Sequence, residues 1–223
     1  MNDFPIPSQT SDLDKRAILM VRSLMPQDYK YLEIGSFRGG SLVPFLRDPR
    51  CARVLSVDPR PRQPIADERP GVFNYDYTLE SMLAELGQHE VPVDKLHNFV
   101  GEMQGVITPH RFDLLFIDGE HTDVACFRDF AFASKFLKPD SVIMFHDATL
   151  VTKALRNVVA ILEVRNSPFR FVKVKDCEVA LAFLGSYSRL PLENQFEFEP
   201  DLAGWYRGAE QLLLNLRLQE MTK

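Results

Sequence analysis

Cysteine is scarce: Cys51, Cys126 and Cys177 are the only three in 223 residues. They are odd in number, scattered and without a C-x-x-C pair, which excludes a disulfide framework and leaves no zinc or dithiol redox signature. A surplus of basic charge is missing too, since 26 Lys and Arg stand against 31 Asp and Glu for a net charge of −5. The electrostatic footprint of a nucleic-acid binder is therefore absent, and a small-molecule partner is expected instead. No window approaches the roughly 18 uninterrupted apolar residues of a membrane span. The opening MNDFPIPSQTSDLDKR also lacks a basic region followed by an apolar stretch. The expectation is a cytoplasmic protein with no membrane partner. Repeats and low-complexity tracts are lacking, and the only strong shift in composition is the proline-rich stretch 59–70, which reads as a loop.

What is present is ample apolar material, 45% of the chain, enough for one sizeable core. Ser11 with Asp14 three residues on resembles a capping box, and Leu13, Ala17, Ile18, Val21, Leu24 and Met25 then repeat at helical spacing. Residues 31–34 form a short apolar run ending in Gly35, and Leu42, Val43, Phe45 and Leu46 follow with helical periodicity. With a second apolar run over 53–57 ending at Asp58, these segments spell strand, glycine turn, helix, strand. Further strands are predicted over 96–100, 112–117 and 141–145, with helices over 124–136 and 151–164. Apolar runs that do not alternate are the mark of strands covered on both faces. Residues 169–175 and 178–184 do alternate, and only Asp176 and Cys177 separate them, so they must form a hairpin and the last strand must run antiparallel. A long amphipathic helix carries Leu202, Trp205, Tyr206, Leu212, Leu213 and Leu216. The fold class is α/β: a Rossmann-like, doubly wound, mostly parallel seven-stranded sheet with an antiparallel terminal hairpin strand. The chain divides into a helical cap (1–27), a core (28–185) and a helical extension (186–223), all one domain. The last helix is expected to bury its face either on the same chain or across a homodimer; three leucines in succession exceed what one face needs, which favours a partner surface.

Ligands of open parallel sheets sit beyond the carboxyl ends of the strands. The first strand end reads Glu33-Ile34-Gly35, followed by Gly39, Gly40 and Ser41. Glycine there lets a ligand approach the backbone closely, though a tight structural turn has the same composition. Asp58, about twenty residues on, stands where a carboxylate holds a ribose diol. A dinucleotide needs G-x-G-x-x-G, whereas E-x-G-x-x-x-G is the form of S-adenosylmethionine sites. The fourth and fifth strand ends carry Asp118-Gly119-Glu120-His121 and His146-Asp147. Asp118, His146 and Asp147 can converge on one divalent cation through carboxylate oxygens and an imidazole, with His121 beside it. Taken singly, the two aspartates suit turn caps, His146 a hydrogen-bonded core histidine, and His121 a surface position.

The segments LEIGSFRGGS, SVDP, VGEMQ, FDLLFIDGEH and LKPDSVIMFHD resemble the class I S-adenosylmethionine-dependent methyltransferases, in particular the catechol O-methyltransferase-like and macrolide-sugar O-methyltransferase-like branches. The resemblance covers residues 28–185. It implies that Glu33, Gly35 and Ser41 hold the methionine part of S-adenosylmethionine, that Asp58 binds the ribose, and that Met103 and Gln104 meet the adenine. It implies further that Asp118, which also borders the cofactor, joins His146 and Asp147 in holding magnesium or manganese, and that His121 is the base. His146 departs from the family's oxygen ligand, and Asp140 stands in the LKPD turn where glycine is usual.

The expected activity is methyl transfer from S-adenosylmethionine to a hydroxyl of a small-molecule or glycan acceptor, with His121 taking the proton near the ordinary imidazole pKa of about 6 to 7. The alternative is a non-catalytic nucleoside-binding or assembly protein with the same fold. Arg60, Arg62 and Arg69 in the proline-rich loop could meet an anionic substrate or simply be solvated.

Overall fold

The computed structural model describes residues 3–60, 67–70 and 76–221. Seven strands form one sheet: β1 (Tyr29–Ile34), β2 (Cys51–Asp58), β3 (Leu96–Val100), β4 (Phe112–Ile117), β5 (Leu137–Phe145), β6 (Phe169–Lys173) and β7 (Ala180–Leu184). Their order is β3-β2-β1-β4-β5-β7-β6. The first five are parallel, and β7 runs antiparallel to both β5 and β6. The hairpin follows from the short connection: Val174 N–H donates to Val179 O at 3.0 Å, and Asp176 takes a φ of 58° in the turn.

Among the described residues, six α-helices flank the sheet: α1 (Asp12–Leu24), α2 (Val43–Leu46), α3 (Leu79–Gln88), α4 (Asp123–Ala133), α5 (Thr152–Val164) and α6 (Leu202–Met221). The capping box of α1 is formed in full, Ser11 Oγ accepting from Asp14 N–H and Asp14 Oδ2 from Ser11 N–H at 2.8 Å. Helix α3 was not expected, although Thr78 caps it and Leu79, Met82, Leu83 and Leu86 lie at helical spacing. The helix after the glycine turn is only four residues long, with Pro44 in its first turn. In the fifth strand, LKPD is no turn: residues 137–145 are one strand, and the extra residues form an irregularity where Phe112 pairs Leu137 and Leu114 pairs Val142.

Side chains leave the sheet alternately, so neighbouring residues feed two cores. Tyr31, Leu114, Phe116 and Met144 face α1, α2 and α3, where Tyr31 stacks on Phe45 at 3.8 Å between ring centroids. Leu32, Leu115, Ile117 and Ile143 face α4, α5 and α6, packing on Phe130, Leu155, Val158 and Leu213. Both faces being covered, every residue of β4 is buried, which explains the unbroken run FDLLFI.

Helix α6 lies on its own chain, with Tyr206, Ala209 and Leu213 buried and Leu202 and Trp205 partly buried. The expected face was wrong by one position: Leu212 is 48% exposed, as Leu214 is 51%. Three successive residues of a helix span too wide an arc for all to reach one core. Among the described residues, no helix is long and apolar enough to cross a membrane, and Cys51, Cys126 and Cys177 are free and buried.

Urea unfolding checks this assignment. Leu213→Ala is expected to cost about 2 kcal/mol or more, and Leu212→Ala or Leu214→Ala about 0.5 kcal/mol or less. Equal losses at all three positions, or a wild-type midpoint that rises with protein concentration, would instead put the leucines in an interface between chains.

Candidate active site

Strands β2, β1, β4 and β5 end at a common level. Ile34 pairs with Val57 and Ile117, and Ile117 with Phe145. The ladder continues one residue past each strand: Gly35 N–H donates to Val57 O at 2.9 Å, Asp118 N–H to Ile34 O at 2.9 Å, and His146 N–H to Ile117 O at 3.0 Å. Gly35 makes this possible. Its φ is 86°, and a Cβ there would lie 2.0 Å from the Asp118 carbonyl oxygen.

A cleft of about 270 Å³ opens at these strand ends. Of the residues expected at the site, Gly35, Ser41, Asp58, Met103, Asp118, His121, His146 and Asp147 line it. Glu33 lies beneath them, wholly buried, accepting from Ser41 Oγ at 2.6 Å and from the Tyr31 hydroxyl. Gln104 is exposed in a short 3₁₀ turn and lies outside the lining, while Glu102 on the other side of Met103 is part of it. The carboxylate of Asp58 accepts the backbone N–H of Phe37 and of Arg60, each at 2.8 Å. It thereby ties the glycine turn to the end of β2.

The two histidines share a group of carboxylates. His146 Nδ1 lies 3.1 Å from Asp118 Oδ1 and 3.3 Å from Asp147 Oδ2, and its Nε2 is 3.5 Å from Asp14 Oδ2 on α1. His121 Nε2 lies 3.0 Å from the same Asp147 oxygen, and its Nδ1 is 2.9 Å from Asp67 Oδ2. Asp118, His121 and Asp147 each offer a ligand atom, all within 4.8 Å of one another. His121 thus joins the two aspartates in a cation-type donor set. His146, expected as the third ligand, lines the cleft beside the same two aspartates, with its Nε2 turned to Asp14.

Electrostatics follow from this packing. Burial alone would lower the His121 pKa, but the carboxylates of Asp147, Asp118 and Asp67 outweigh it and bring the value to about 8, above the range expected from the sequence. His146 is held well above its ordinary value, because Asp118, Asp14 and Asp147 overcome its desolvation. Asp147 stays charged despite its own burial, held far below the usual carboxylate range by both imidazoles. Glu33 goes the other way: desolvation pushes it up to about 8 against its hydrogen bonds from Ser41 and Tyr31.

Arg128 and residues 7–10 also line the cleft and were not singled out by sequence reading, whereas Arg60 and Arg69 were. Residues 7–10 run along the cleft, packed so closely that a Cβ on Gly40 would lie 3.3 Å from Ser8 Cβ. Arg60 is a buried partner of Asp58, at 3.6 Å, and donates to Ser36 Oγ at 2.9 Å. Arg69 forks onto Asp67, and Arg128 pairs with Glu102 at 2.6 Å. The arginines expected to be solvated or to await an anion are therefore engaged with the protein, while Arg62 lies outside the described residues. Only Asp14 had a sequence signal, its capping box; loop residues such as Asp67 leave no periodicity to read.

Residues 32–148, a little over half of the chain, match the family model described as a methyltransferase domain. The chain belongs to that family. A curated relative, the uncharacterized protein R132 of Acanthamoeba polyphaga mimivirus, is 24% identical over 155 residues, 65% of this chain and 66% of that protein. The chain thus spans just under two thirds of that relative's length. Among solved structures, the O-methyltransferase TomG of Streptomyces achromogenes, involved in tomaymycin synthesis and crystallised with SAM, superposes with a TM-score of 0.55 at 18% identity, covering 83% of this chain and 84% of that one. An O-methyltransferase from Bacillus cereus in complex with SAH gives 0.57 at 15% identity, covering 81% and 84%. At such identities the likeness is one of fold, a Rossmann-like sheet.

Glu33 supplies a pH test of the site's floor. A carboxyl raised to about 8 when folded, from about 4.5, contributes stability that is complete below pH 4.5 and is lost as pH rises through 8. Glu33→Gln removes that dependence. Urea midpoints at pH 5 and pH 8.5 are expected to show the wild type losing ground to the variant at the higher pH; a constant difference would mean that Glu33 folds ionised.

Proposed function

We propose that this methyltransferase transfers the methyl group of S-adenosylmethionine to a hydroxyl of a small molecule or sugar, assisted by a divalent cation. One observation carries the reading: Asp58 and the cluster of Asp118, His121 and Asp147 open into the same cleft. A nucleoside-holding carboxylate and a cation-type donor set thereby adjoin.

The residues present fit both groups. Gly35, Gly40, Gly101 and Gly119 line the cleft without side chains, leaving the backbone accessible to a flat, polar ligand. Asp58 would accept from the ribose hydroxyls, and Met103 would lie against the base. Gln104 is exposed and stands outside the cleft lining. The two carboxylates suit magnesium or manganese, while an imidazole in the donor set favours manganese or iron over magnesium. Asp118 and Asp147 would hold that ion, with His121 in reach as a third ligand or as the base beside it.

S-adenosylmethionine supplies an electrophilic methyl group on a sulfonium, and the cation, when bound, favours the ionised form of a nearby hydroxyl. The chain supplies position and a proton acceptor. His121 turns Nε2 toward Asp147 and the cleft, where it would take the acceptor's hydroxyl proton in its neutral form. His146 keeps its charge close to Asp118 and Asp147, balancing two like charges that would otherwise repel. Burial at the strand ends keeps the reacting groups aligned.

Calorimetry tests the cofactor half. S-adenosylmethionine is expected to bind and NAD not to, and Asp58→Ala is expected to weaken binding about tenfold or more through loss of charge-assisted hydrogen bonds; unchanged affinity in a folded variant removes the ribose assignment. Methyl-transfer assays over a panel of diol acceptors test the chemistry. Turnover is expected to vanish in chelator and to fall roughly 100-fold or more in His121→Ala, with cofactor affinity retained in both. Full turnover in chelator excludes the cation, and full turnover in the variant excludes His121 as base or ligand.

A further inference from the structure

Residues 67–70 reach back over the end of β4. Glu68 N–H donates to the His121 carbonyl at 2.9 Å, and a Glu68 carboxylate oxygen accepts from Asp123 N–H at 3.2 Å, while Arg217 of α6 pairs with its other oxygen. This docking places Asp67 against the imidazole. The Asp67 side chain is 1% exposed, and its Oδ2 lies 2.9 Å from His121 Nδ1. Its own orientation is set by Arg69, which donates through its backbone N–H at 2.7 Å, Nε at 2.9 Å and a terminal nitrogen at 2.6 Å. A carboxylate so bracketed cannot rotate away from the ring without breaking a bidentate guanidinium pair.

From this geometry we infer that Asp67 is the positioning residue of the site: it holds the Nδ1 proton of His121, so that Nε2 is the ring nitrogen released toward Asp147 and the cleft. The inference rests on the reading of His121 as the group that acts in the cleft, and it adds which nitrogen acts and what selects it. The two ends of the ring face unequal carboxylates. Asp67 is sealed from solvent and locked by Arg69, whereas the Asp147 side chain is 19% exposed and lines the cleft. Asp67 Oδ2 faces Nδ1 from a position that Arg69 fixes through three hydrogen bonds. The Asp147 oxygen opposite Nε2 can instead meet solvent or a ligand of the cleft, so the N–H is held at the sealed end. Fixing one imidazole nitrogen with a carboxylate so that the other can act is a general way of setting a histidine tautomer. It is required equally whether Nε2 takes a proton or binds a cation. The competing arrangement is also on view: an Arg69 terminal nitrogen lies 3.1 Å from Nδ1 and, were it the donor there, would place the proton on Nε2.

The neutral ring is read by nitrogen-15 NMR of the full chain at alkaline pH, with the His121 signals assigned by their loss in His121→Gln. The wild type is expected to carry its proton on Nδ1, with the pyridine-type resonance at Nε2. Asp67→Asn, whose amide can donate to Nδ1, is expected to move the pyridine-type resonance to Nδ1 or to split the population, and Asp67→Glu to restore the wild-type pattern at least in part. A proton on Nε2 in the wild type overturns the inference without any variant being needed, as does an unchanged tautomer in a folded Asp67→Asn protein. Methyl transfer separates this inference from the reading beneath it. A tautomer that shifts in Asp67→Asn while turnover stays at the wild-type level upholds Asp67 as the positioning residue and removes His121 from the chemistry. A tautomer that shifts while turnover falls 10-fold or more, with cofactor affinity within 2-fold of wild type, supports both.

Discussion

The site depends on four parallel strands stopping together. Because the ladder bonds run on for one residue past β1, β4 and β5, the backbone of Gly35, Asp118 and His146 is held by the sheet itself rather than by the loops that follow. Side chains at these positions start from anchored Cα atoms, and their separation is set by strand spacing. Gly35 is the condition for this arrangement. The Asp118 carbonyl occupies the space that a Cβ would take, so the first and fourth strand ends can approach only if that residue has no side chain.

On this platform the chain gathers more acid than a sheet edge alone would bring. Asp118 and Asp147 come from β4 and β5, Asp14 from the first turn of α1, and Asp67 from the proline-rich loop. Buried charges of one sign are tolerated only when countercharges and hydrogen bonds satisfy them. His146 and His121 do this, each set between carboxylates on opposite sides of its ring. Asp14 serves two structures at once: it closes the capping box of α1 and accepts from Glu178 N–H in the loop of the β6–β7 hairpin at 2.7 Å. The N-terminal helix is thereby fastened to the floor of the cleft, and residues 7–10 are carried along its wall.

Much of the fold was legible in the sequence because apolar runs without alternation identify strands buried on both faces. The limits of β3 and β4 followed from that pattern, and the β6–β7 hairpin from its short connection, although the strands end at Lys173 and resume at Ala180, leaving more than the two residues expected between them. Helix α3 escaped notice between a proline-rich loop and a strand, though its cap and spacing were present. Leu212 was assigned to the wrong side of α6 because a triple leucine does not say which of its members meets the core. LKPD read as a turn for its proline, yet the chain stays extended there and absorbs the extra residues as an irregularity at the edge of the β4 pairing.

Chemistry at strand ends could be read for residue type but not for partnership. Asp58, Asp118, His121, His146 and Asp147 were all identifiable from the motifs that end apolar runs, since polar groups at that edge are costly unless used or paired. Which carboxylates each histidine meets depends on rotamers fixed by contacts from elsewhere in the chain. Asp14 draws His146 one way and Asp67 draws His121 the other. Those two aspartates lie 132 and 54 residues from the rings they hold. Local pattern determined the sheet, its direction and the residues along its edge; only the tertiary structure decided their pairing, because a hydrogen bond between distant segments leaves no period in the sequence between them.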